Sequence, residues 1–105
     1  MKPTSNDSSQ REIEIVRMHP AAQRRSDLVD LLLTRGPQTF AAPETEMFQV
    51  AHDGHTDDVV VVLLWRSAAD HQRRLAHPSV AALFAEIAAL SAGPPTIELL
   101  RGVRP

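Results

Sequence analysis

Charged and aliphatic residues alternate through Arg11 to Met18 (REIEIVRM), and the pattern stops at His19-Pro20. A period of two puts successive side chains on opposite faces. The segment therefore predicts a strand with Ile13 and Ile15 turned inward and Glu12 and Glu14 together on the other face. Two carboxylates there could serve acid/base work, but charges that guard an exposed edge are the expected reading. From Pro20 the spacing becomes helical. Ala21, Leu28, Leu31 and Leu32 form an apolar stripe opposite Gln23, Arg24, Asp27 and Asp30, which predicts a helix to about Arg35 that Gly36-Pro37 ends. Gln38 to Pro43 reads as a loop, and Glu44 to His52 as a second strand around Met47, Phe48 and Val50. Asp53-Gly54 is a hairpin signal.

Asp58 to Arg66 (DVVVVLLWR) is the strongest strand pattern in the chain. It is β-branched and apolar on both faces, so it predicts a strand covered on both sides. Ser67 reads as an N-cap, with Asp70 three residues later approximating a capping box, for a short helix to Leu75. The chain breaks at His77-Pro78. An Ala-rich helix follows, with Val80, Leu83, Phe84, Ile87 and Leu90 on one stripe, and Gly93-Pro94-Pro95 stops it. Thr96 to Val103 predicts a last strand.

The order β-α-β-β-α-β, its second helix broken, predicts an α+β domain of the ferredoxin-like kind. A four-stranded antiparallel sheet would carry both helices on one face. The other face, with half of the valine run, would be an exposed apolar patch in a monomer. A second copy packed against it gives a homodimer, the expected state.

Composition narrows the partners. With 105 residues there is room for one core, and residues 11–105 are read as a single domain behind a polar, disordered tail, residues 1–10. Eleven Lys and Arg against thirteen Asp and Glu give a charge of -2, which supplies no basic field for nucleic acid. The longest apolar run, Val59 to Trp65, is too short to span a bilayer, and a cytoplasmic protein is the default expectation. Cysteine is absent, which removes thiolate chemistry and Cys-type metal sites.

Several residues have the chemistry for a site. Trp65, the one tryptophan, closes the apolar strand and reads as a core aromatic or a pocket wall. His71 sits on the polar short helix, where a solvent-facing role competes with that of a base working near neutral pH. Arg74 could steady an anion or face water, and His77 could cap the helix break or act as a second base. Phe48 and Phe84 are the candidate aromatic walls for a ligand. His52 and His55 flank Asp53-Gly54 and invite a metal reading, but turn chemistry accounts for the segment and no metal is expected.

The stretch Val59 to Ala82 (VVVVLLWRSAADHQRRLAHPSVAA) resembles the antibiotic biosynthesis monooxygenase family of dimeric α+β barrels: an apolar strand ending in Trp, a short helix opened by Ser, then an HP break before a second helix. Pro43 to Val50 (PETEMFQV) is similar to the family's second-strand entry, with Glu44 where glycine is usual. Gly93-Pro94-Pro95 before the last strand also recurs in members acting on aromatic polyketides. The resemblance implies oxygenation without metal, flavin or other cofactor. A deprotonated anthrone or quinol passes an electron to dioxygen, and the radical pair recombines. It places His71 where polyketide-acting members carry Tyr, Arg74 where many carry His, and Val61 where they carry Asn. The haem-degrading branch's Asn and His are missing from EIEIVRM and VAALFAEIAAL. The implied function is a cofactor-independent monooxygenase, or a related cyclase, acting on an aromatic polyketide or quinol. The site would comprise His71, Arg74 and His77 as catalytic residues and Trp65, Phe48 and Phe84 as ligand contacts. The alternative is a non-catalytic dimeric barrel that binds a small ligand or a partner protein.

Overall fold

The computed structural model describes residues 10–103. The elements run β1 (Glu12–Met18), α1 (Arg25–Thr39), β2 (Thr45–His52), β3 (Val59–Trp65), α2 (Ala68–Leu75), α3 (Pro78–Ala89) and β4 (Thr96–Arg101). All sheet pairings are antiparallel and the strand order is β2-β3-β1-β4. This is the ferredoxin-like α+β fold. The expected disordered tail lies, except for Gln10, outside the described residues.

β3 shows how the sheet divides inside from outside. Val59, Val61, Leu63 and Trp65 are buried under the helices, while Val60, Val62 and Leu64 on the other face are half-buried. Against the buried row pack Leu28 and Leu32 of α1 and Val80, Leu83 and Ile87 of α3. Each of these aliphatic side chains contributes about 1.5–3 kcal/mol when taken fully out of water. No helix among the described residues is long and apolar enough to cross a membrane.

Two expectations about β1 are overturned by the register. β1 is a central strand, between β3 and β4, and not an edge. Glu12 pairs with Trp65 and Glu14 with Leu63, whereas Ile13 pairs with Leu64 and Ile15 with Val62. The glutamates therefore stand on the helix-covered face and the isoleucines on the open one. Alternation fixes that the two sets separate, but not which set meets the helices.

The first helix also starts and stops later than its spacing suggests. Pro20 bridges to Ser91, Ala21 N–H donates to Leu90 O at 2.9 Å, and Ala92 N–H donates to His19 O at 2.7 Å. These pairings hold residues 19–21 in extended chain, and Gln23 at φ 64° turns into α1. At the other end α1 continues through Pro37, because Thr39 Oγ1 donates to Arg35 O and Phe40 N–H to Gly36 O, each at 2.8 Å. Those bonds satisfy carbonyls that the end of a helix would otherwise leave open.

Candidate active site: an apolar cavity and a buried carboxylate–imidazole cluster

Between the covered face of the sheet and helices α1 and α3 lies a cavity of about 550 Å³. This is within the usual range for small-molecule sites. Val16, Val61 and Leu63 form its floor, Leu32 and Ile87 come from the helices, and Phe40 and Phe48 form an aromatic wall. Those two rings stack with centroids 5.8 Å apart, so they lie against each other and leave the space open. Leu75, Phe84 and Ile97 line the cavity while remaining exposed, which makes them its apolar rim. Phe48 reaches this position because Gly36 has no side chain. A Cβ there would lie 2.2 Å from the Phe48 ring tip, a distance no packed atom tolerates.

Among the described residues, two polar side chains belong to the cavity wall, Ser91 and Glu14. The Ser91 hydroxyl donates to Ile87 O at 2.7 Å. Glu14 is the ionisable one, and it belongs to a cluster that also contains Trp65, His71 and Glu12. Trp65 Nε1–H donates to Glu14 Oε1 at 3.0 Å. The His71 ring stacks on Trp65, with centroids 4.3 Å apart and planes 11° from parallel. Its Nδ1 hydrogen-bonds Glu12 Oε1, and its Nε2 lies 3.5 Å from Glu14 Oε1. Trp65 is wholly buried and His71 nearly so, and the Phe40 ring meets Trp65 edge-on at 5.8 Å.

Helix α2 holds the imidazole in place. Ser67 Oγ accepts from Asp70 N–H at 3.1 Å, which is the expected N-cap. The buried Asp70 carboxylate accepts from Arg66 Nη2 at 3.0 Å and also from Arg66 Nε and Arg73 Nη1. Hydrogen bonding from Arg66 is the largest cause that holds the Asp70 carboxyl down, to about 2 from an ordinary 3.8. A carboxyl with a lower pKa in the folded chain stabilises the fold above its unfolded value and loses that effect as pH falls through the folded one. The wild type should therefore be more stable than Asp70→Asn by about 1–2 kcal/mol at neutral pH, a figure reduced by screening of the half-exposed arginines. That margin should close between about pH 4 and pH 2, as thermal unfolding of both proteins across that range would read.

The structure thus gathers some of the sequence-predicted residues and separates others. Phe48 and Phe84 are in the cavity wall. Trp65 and His71 stand one layer behind it and reach it through Glu14. Arg74 Nη2 donates to Glu44 Oε1 at 2.8 Å, which lowers the Glu44 pKa, and the guanidinium is outside the cavity wall. His77 is exposed and caps α3, its Nδ1 accepting from Ser79 N–H at 3.1 Å. In the β2–β3 turn, His55 N–H donates to Asp53 Oδ1 at 2.7 Å, and no metal-binding group forms among the described residues. Glu12 and Glu14, which the sequence offered first as charges on an edge strand and second as carboxylates for acid/base work, join this cluster. Their one signal was two carboxylates at a spacing of two in a strand otherwise rich in isoleucine.

No family model matches the sequence, and no curated protein matches it. Solved structures do. A Caulobacter crescentus protein provisionally named an antibiotic biosynthesis monooxygenase superposes with a TM-score of 0.84 at 16% identity, covering 92% of this chain and 93% of its own. Proteins under the same provisional name from Nitrosomonas europaea (TM-score 0.82, 12% identity, 92% and 94% covered) and Chloroflexus aurantiacus (0.76, 22%, 90% and 95%) agree with it. At these identities the likeness establishes a shared fold.

Proposed function

From a chain that carries the fold seen in proteins provisionally named antibiotic biosynthesis monooxygenases, we propose a cofactor-independent monooxygenase, or a related cyclase, acting on an aromatic polyketide or quinol. The cavity carries the proposal: apolar, aromatic-walled, about 550 Å³, with one ionisable side chain in its wall among the described residues. Such a space takes up a flat, neutral ring system and offers it a single proton acceptor.

For an anthrone the reaction balances without a cofactor. The ring methylene loses a proton to the site, and the carbanion gives one electron to dioxygen. The carbon radical and superoxide join, and the peroxide anion regains the proton. Loss of water then leaves a carbonyl, so that CH₂ and O₂ become C=O and H₂O. The protein binds the ring, moves the proton and keeps bulk water away. The reading includes a second copy of the chain over the open face of the sheet, where Ile13, Ile15, Val62 and Leu64 lie together.

One observation favours a ligand-binding protein without chemistry: Arg74 and His77 are committed to Glu44 and to the α3 cap. Oxygen uptake by metal-stripped protein given an anthrone separates the two readings. The proposal expects uptake of one dioxygen per anthrone that requires the protein and no additive. Quenching of Trp65 fluorescence by the anthrone with no uptake would leave the binding protein.

A further inference from the structure

His71 is the residue whose chemistry suits a base, yet it is Glu14 that the cavity wall presents. The two contacts to Glu14, from Trp65 Nε1–H and from His71 Nε2, both fall on Oε1, which leaves Oε2 for a ligand. On the far side of the imidazole, Nδ1 is bonded to Glu12 Oε1. A carboxylate can only accept, so Nδ1 carries a hydrogen toward Glu12, and Nε2 is the ring nitrogen that faces Glu14. The stack on Trp65 and the anchoring of α2 by Asp70 fix the ring in that orientation.

We propose that Glu14 takes the proton from the bound ligand and that the Glu12–His71 pair is its relay. This rests on the proton abstraction proposed above and specifies both the group that performs it and the ligand that suits it. The ligand C–H or O–H bond breaks with its electron pair left on the ligand, and the proton goes to Glu14. The proton arrives on Oε2, and a turn of the carboxyl group brings it to His71 Nε2, unprotonated at rest in this proposal. Its transfer regenerates the Glu14 carboxylate and leaves an imidazolium between two carboxylates. The charge that forms on the ring thus has a counter-charge on each side of it. The same path returns the proton to the anionic product, and none is consumed. Because the wall offers a carboxylate in apolar surroundings, the fitting ligand is a neutral carbon acid or phenol. A ligand bearing its own carboxylate would be repelled. Glu12 is a positioning residue. It sets the tautomer, as the carboxylate behind the histidine does in hydrolytic triads.

The test is exchange of the anthrone methylene protons for deuterium under argon, which reads proton transfer without oxygen chemistry. Wild-type protein should accelerate exchange. Glu14→Gln should lose about 100-fold of that rate while still binding anthrone, and Glu12→Gln about tenfold. Nitrogen-15 shifts of His71 in the wild type should show the Nδ1–H tautomer, and Glu12→Gln should mix the two. Exchange by Glu14→Gln as fast as wild type, no acceleration by wild type with anthrone bound, or a hydrogen on Nε2 at rest, in the Nε2–H tautomer or the imidazolium, would each overturn the proposal. Exchange without oxygen uptake would uphold this assignment and refute the oxygenase.

Discussion

Trp65→Ala is expected to cost about 3–5 kcal/mol of stability, enough to leave a domain of this size barely folded. The ring is wholly buried, meets Phe40 edge-on, and is the surface on which His71 lies. Removing it opens a void between the sheet and α2 that the surrounding main chain cannot close. It also strips Glu14 of its indole donor. Trp65→Phe separates these effects. It keeps an aromatic surface under His71 and loses the N–H, at about 1–2 kcal/mol. Urea unfolding of the three proteins reads the difference. An alanine variant within about 1 kcal/mol of wild type would mean that the site is not built on this ring.

Val62→Arg should turn a dimer into a folded monomer. Val62 faces away from the helices, beside Ile15 and within a patch that includes Ile13 and Leu64. Half-buried in one copy, that patch suits a two-fold partner that would cover it. An arginine at its centre would place two uncompensated charges across the symmetry axis. Burying charges without partners costs several kcal/mol, a loss of at least about 100-fold in association. Because the position is only half-buried within one chain, the helices and their core are untouched. Sedimentation should give twice the chain mass for wild type and the chain mass for the variant. A wild-type protein that sediments as a stable monomer would contradict the second copy.

The fold was legible in the chain because its signals are local and agree with one another. The β-branched run of β3, the Ser67 cap and the break at His77-Pro78 each specify an element without help from distant residues. What eluded the sequence depends on contacts across the chain. The start of α1 is set by the ends of α3, through the pairing of residues 19–21 with 90–92. The inversion of β1 follows the same logic. Glu12 and Glu14 can face the helices only because His71 and Trp65, more than fifty residues away in sequence, supply their hydrogen bonds. For the same reason His71, on a helix of polar composition, is buried while its neighbours Gln72 and Arg73 are exposed.

The aromatic ring is expected in the cavity under Phe48 and Phe84. Intermolecular nuclear Overhauser effects between anthrone, held under argon, and the methyl groups of the protein test it most directly. Contacts are expected to Val61, Leu63 and Ile87, which line the cavity. Contacts to Val60 and Val62, on the opposite face of the same strand, would contradict it.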